Sequence, residues 1–199
     1  MKWNVAVILL TLCLFQNRSR SQGIVCLSNL NETGAGFSVG GGSQSFVTGT
    51  ASNGYALNSV TLLMGTMLDN ASNFTVSIFN DNASLPGVSL GALNGNNDPR
   101  TAGQYTYSAS YLALNQNATY WIVATCDSSS PNPLMPPGGY TWQETLSQNI
   151  LTGGGWSAGI GNTGFTGAAF QFAVNATPVP EPSTCALLGV AAFLFLRRK

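Results

Sequence analysis

Phe74-Thr75-Val76-Ser77-Ile78-Phe79 is the stretch whose pattern decides the fold. Phe74, Val76 and Ile78 fall on one side of an extended chain and Thr75 and Ser77 on the other, the period-two signature of a strand with one face buried. Asn80-Asp81-Asn82 follows, and these short polar side chains bond their own backbone and end the strand. Pro86-Gly87 then reads as a turn leading into a strand over 88–93.

The same pattern extends in both directions. Upstream, residues 57–64 place Val60, Leu62 and Met64 on one face, and residues 23–28 and 45–48 read as short strands. Gly34-Ala35-Gly36 and Gly40-Gly41-Gly42 read as loop, because glycine weakens a strand interior. Downstream, residues 105–109 alternate, and Leu112 and Leu114 lead through Asn115-Gln116-Asn117 into residues 119–125. That last run is apolar on both faces, which predicts a central strand covered on both sides. Residues 128–139, with Pro131, Pro133, Pro136 and Pro137, predict an irregular excursion. Residues 140–145 predict an edge strand, and 169–175 close the domain with Phe170, Phe172 and Val174 on one side. Roughly eight short strands with no helical period predict an all-β, antiparallel sandwich of jelly-roll-like type.

The two ends of the 199-residue chain differ from this body. Lys2 precedes an apolar stretch over 5–15, and Ser19 and Ser21 offer small residues for cleavage, so 1–21 reads as a secretory signal peptide with a helical apolar segment. Residues 22–178 are then the β body, and 179–199 a separate tail. The tail has a Pro180-Glu181-Pro182 box, an apolar run from Cys185 to Leu196, and Arg197-Arg198-Lys199 at its end. The prolines keep the box extended. At ~1.5 Å per residue the apolar run reaches ~18 Å of a ~30 Å hydrocarbon core, and snorkelling by the terminal basic side chains extends that span. The run reads as a membrane tail helix, with the three charges as its stop-transfer signal.

This arrangement resembles the PEP-CTERM sorting signal of bacterial surface proteins. The resemblance implies an exported precursor anchored in the inner membrane. An exosortase-like membrane enzyme would recognise the box and pass the body to the cell surface or extracellular matrix. A second resemblance covers residues 27–175. The order Phe74-Thr75-Val76-Ser77-Ile78-Phe79-Asn80-Asp81, Leu85-Pro86-Gly87, Leu112, and Asn117-Ala118-Thr119-Tyr120-Trp121-Ile122-Val123 is similar to the choice-of-anchor R domain of bacterial surface proteins.

Charge and composition exclude several classes of function. Within residues 22–180 the only base is Arg100, against Glu32, Asp69, Asp81, Asp98, Asp127 and Glu144; one base and six acids give a formal charge of −5. Such a body has no electrostatic footprint for a phosphate backbone, so no nucleic-acid partner is expected. The chain has no histidine, which removes the commonest general base and neutral metal ligand. The scattered acids sit beside turn residues and read as solvated turn carboxylates, so no catalytic residue and no cofactor is expected. Asp69-Asn70, Asp81-Asn82 and Asp98 carry the hard oxygens that Ca²⁺ takes, but no calcium loop surrounds them, and they read as Asx turns with no metal. Gly159-Ile160-Gly161-Asn162-Thr163-Gly164 has the letters of a dinucleotide fingerprint without the helix that the chemistry requires.

Two further residue sets carry expectations. Tyr140, Trp142 and Trp156 flank proline-rich or glycine-rich loops, where they form a candidate aromatic platform for an extracellular polysaccharide or else plug the ends of the sandwich. Cys26 and Cys126 are the cysteines left once signal and tail are set aside, and export to an oxidising compartment makes them a candidate disulfide. The sequence therefore reads as a noncatalytic surface protein, with a carbohydrate-binding module or a calcium-stabilised adhesin as alternatives.

Overall fold

The computed structural model describes residues 23–68, 71–128, 139–147, 151–162 and 167–181. Among these residues thirteen strands and no helix occur: β1 (Ile24–Ser28), β2 (Gly34–Val39), β3 (Gly41–Val47), β4 (Tyr55–Met64), β5 (Ala71–Asn82), β6 (Leu85–Ala92), β7 (Gly103–Leu114), β8 (Thr119–Ser128), β9 (Thr141–Thr145), β10 (Leu151–Thr152), β11 (Ser157–Gly161), β12 (Ala169–Phe170) and β13 (Phe172–Pro178). The signal segment 1–21 and the apolar run of the tail lie outside the described residues.

The strands form two antiparallel sheets. One runs β10-β1-β13-β4-β9-β12, with β7 also paired to β4 and β2 to β9; the other runs β11-β3-β8-β5-β6. Their inner faces meet in one core. Phe74 of β5 tilts against Tyr107 of β7, with ring centroids 5.9 Å apart. Phe46 of β3 stacks on Trp156, which in turn meets the edge of Tyr55 on β4. Contacts between side chains of the two sheets make the assembly a β-sandwich, and residues Gly23–Val179 form one compact unit.

The alternation that decided the fold is present as expected. Phe74, Val76 and Ile78 are buried while Thr75 is exposed. β8 lies between β3 and β5 and so is central, but its second face is not covered throughout: Val123 is half-buried and Thr125 exposed. It buries Tyr120, Ile122 and Ala124 in the core cluster, and Trp121, one residue out of step, is also buried.

Several expectations need correction. Thirteen strands replace the predicted eight, partly because the glycine-rich stretch is not loop. Gly34, Gly36, Gly41 and Gly42 are strand residues of β2 and β3. At Gly42 the missing side chain makes room for the opposite sheet, since a Cβ there would lie 2.4 Å from Cζ of Phe170. The turn expected at Pro86-Gly87 falls earlier, at Ala83-Ser84, both with positive φ as a two-residue hairpin requires. The Asn80 and Asp81 side chains hold it by accepting from the backbone N–H of Val88 and Ser84, and Pro86 is tolerated because β6 is an edge strand. Conversely, β9 is not an edge: it is flanked by β2, β4 and β12.

Candidate sorting site at the end of the last strand

β13 is held by β4 from Phe172 to Pro178 and, on its other side, by β1 from Ala173 to Ala176. Its last pair is Pro178 with Tyr55. One further hydrogen bond follows, from the Val179 N–H to the Gly54 carbonyl at 3.0 Å. Gly54 has φ +72°, and a Cβ on it would lie 2.2 Å from the Leu114 carbonyl oxygen, so the turn that accepts this bond requires glycine. Tyr55 beside it is buried, and its hydroxyl accepts from the Ala51 N–H. The strand is thus hydrogen-bonded up to Val179, and Pro178, Val179, Pro180 and Glu181 are all exposed. Two prolines around Glu181 restrict the backbone of the box, which lowers the entropy cost of its capture in another protein's groove.

Of the remaining candidate residues, Trp156 and Cys26 lie near this point, against Tyr55 and Ala176, while Tyr140, Trp142 and Cys126 lie elsewhere. Tyr140, Trp142 and Trp156 are all buried, in the interior and not on a surface platform, as the alternative of rings plugging the sandwich has it. Tyr140 packs edge-on against Phe74 and donates its hydroxyl to Asp98 at 2.5 Å. Trp142 stacks on Phe170 at 4.1 Å and donates Nε1–H to the Gln171 carbonyl. Trp156 sits between Phe46 and Tyr55. These rings fill the interior because each brings a large apolar surface together with a polar tip that finds a partner inside.

The candidate disulfide is likewise not formed: Cys26 and Cys126 are free thiols in different sheets. Cys26 Sγ–H points at the Ala176 carbonyl at 3.7 Å, and Cys126 Sγ–H at the Gly40 carbonyl at 3.3 Å. Burial pushes both thiols up.

The acids are engaged locally. Asp81 accepts from the Trp121 indole N–H at 2.8 Å. Asp98 accepts from the Arg100 Nε–H at 2.6 Å, and that bond, then the Tyr140 bond, holds its carboxyl below the ordinary range. Among the described residues no group of three His, Cys, Asp or Glu side chains converges as a metal site would; Asp69 and Asn70 lie outside them. Glu144, expected to be a solvated turn carboxylate, is instead a fully buried residue of β9, with Ser38 donating to its carboxylate. The signal was there in the alternation of Trp142 with Glu144, which share a face of β9. The dinucleotide-like glycines end β11, a strand.

Residues 178–199 match the PEP-CTERM protein-sorting motif. The sorting motif begins on Pro178, the residue at which β13 ends, so fold and signal abut without a linker. The motif implies an exported precursor and an exosortase-like membrane enzyme as its processing partner. Among the described residues no helix is long and apolar enough to cross a membrane, and the tail's apolar run lies outside them. No curated protein and no solved structure matches the chain. The similarity of residues 27–175 to the choice-of-anchor R domain gains no support from these comparisons.

Proposed function

We propose that the chain is a noncatalytic β-sandwich displayed at the cell surface or in the extracellular matrix after processing at its PEP-CTERM box. The observation that carries this reading is the junction itself: a sorting motif that starts where the last strand ends, with Pro180 and Glu181 exposed. Cleavage near such a box leaves β13 and its pairing with β1 and β4 intact, so the body keeps its fold after release. The absence of histidine from the chain and the engagement of Asp81, Asp98 and Glu144 by neighbouring side chains support a display role over catalysis.

The test is fractionation of cells expressing the full chain, with and without the processing enzyme. Wild type should be released or surface-exposed only with the enzyme. Replacing Pro180, Glu181 and Pro182 by alanine should leave precursor in the inner membrane, and normal display of that variant would defeat the reading. Deleting Arg197, Arg198 and Lys199 should let part of the tail slip across, because its stop-transfer charge is gone.

A further inference from the structure

The chain enters β1 and leaves β13 at the same end of the sandwich. Ile24 is paired with Ala176, and two residues later β13 ends beside Tyr55, which is in turn paired with Leu114. The opposite end is marked by Met64 beside Trp142, Ser72 beside Asp127 and the bridge of Leu68 to Gly139.

Most of the described acids of the body gather at the end away from the tail. Asp98 is bonded to Tyr140, Asp127 is paired with Ser72, Glu144 with Phe170, and the Glu32 carbonyl accepts from Gln171. All four therefore lie in the half away from the tail. Among the described residues of the body, Asp81 is the one acid at the tail end, an exposed carboxylate that accepts from the Trp121 and Ser84 N–H groups. The tail end instead exposes Ile24, Val25 and Val179.

We infer that the tail end of the sandwich is a membrane-facing surface that touches lipid while the precursor is anchored. The inference rests on the reading of Cys185 to Leu196 as a membrane segment. From Val179, whose N–H bonds the Gly54 carbonyl, to Cys185 the chain can span at most about 20 Å fully extended. The body is thereby confined close to the bilayer and must turn some surface towards it. Turning the tail end keeps four acids beyond the reach of anionic headgroups, whose field decays over about 8 Å at physiological salt. It also brings exposed aliphatic side chains to the interface, where they gain by burial.

The experiment places a photoreactive benzophenone side chain at one position at a time in the full chain, reconstituted into phosphatidylethanolamine–phosphatidylglycerol vesicles. Val179 and Val39 form a matched pair, being 39 % and 38 % exposed at opposite ends; Ile24 (61 %) and Leu68 (44 %) form a second. Lipid adducts, read by mass, should form at 24 and 179 at least fivefold more than at 39 and 68. If the chain floats with the vesicles and all four positions label alike, or 24 and 179 fail to label, the membrane-facing surface is wrong and the tail reading stands. If the chain does not float with the vesicles, the tail reading fails and the inference with it.

Discussion

Ile78 of β5 and Ile122 of β8 face each other directly across the strand pair, and both are completely buried. They join the core from adjacent strands at the centre of the five-stranded sheet. An aspartate at either position would place an unpaired carboxylate there, costing several kcal/mol against a total stability of about 5–15 kcal/mol. Ile78→Asp and Ile122→Asp should each abolish accumulation of folded protein, whereas Thr75→Asp, on the exposed face of the same strand, should stay within ~0.5 kcal/mol of wild type. Urea unfolding of the soluble variants measures the difference, and equal effects at Thr75 and Ile78 would reverse the face assignment.

Gly42 and Phe170 report the fit between the sheets. The Phe170 ring cannot move aside for a new Cβ, because it is fully buried and stacked on Trp142. Gly42→Ala should therefore destabilise by ~1–3 kcal/mol, the usual range for overpacking. Adding Phe170→Leu should cost less in the Gly42→Ala background than in wild type, the signature of direct contact in a double-mutant cycle. Additive effects would mean the two sheets do not meet at this point.

These residues also show where the sequence was readable. Period-two alternation located β4, β5, β7 and β8 because their buried side chains are large and their exposed ones polar. It failed at Gly34, Gly36, Gly41 and Gly42, where no side chain can display the pattern; the reason for glycine at 42 is a phenylalanine 128 positions along the chain. Alternation also cannot say which way an aromatic faces. Tyr140 and Trp142 are interior because Phe74 and Phe170, on other strands, pack against their rings. The sorting box was legible in full because its recognition depends on local covalent features, two prolines around a carboxylate, and not on folding.

Alkaline pH should weaken the fold through Tyr140. Burial first, and then its hydrogen bond to Asp98, push the Tyr140 phenol up from 10.0 to about 12. Burial also raises Tyr107. The neutral phenol is the form the fold favours, so this stabilisation is complete below pH 10 and is lost as pH rises through 12. Asp98 works in the opposite sense: its lowered value means that its contribution is present above the ordinary 3.8 and is lost as pH falls below it. Melting temperature measured across the alkaline range should fall above pH 10, and Tyr140→Phe should flatten that fall. An unchanged slope in the variant would assign the alkaline loss to other groups.

Cys26 and Cys126 should both remain thiols in the exported protein. A disulfide requires Cα atoms about 4.4–6.8 Å apart. Cys26 lies against Ala176, near the end of the sandwich where β8 begins, as Tyr120 beside Asn80 and the Tyr120 hydroxyl bond to Asn115 indicate. Cys126 is six residues further along β8, beside Gly40, a displacement of about 20 Å at strand rise. No rotamer change closes that gap. Burial raises both thiols, which lowers the reactive thiolate fraction and slows oxidation even in an oxidising compartment. Denaturing the unreduced protein in iodoacetamide and mapping peptides should therefore find both cysteines alkylated. Cys126→Ser, which keeps a donor for the Gly40 carbonyl, should change stability by less than ~1 kcal/mol. A bridge closing so long a loop would instead make that substitution cost up to ~4–5 kcal/mol. A cross-linked Cys26–Cys126 peptide, lost on reduction, would overturn the assignment and require β1 to sit elsewhere in the sheet.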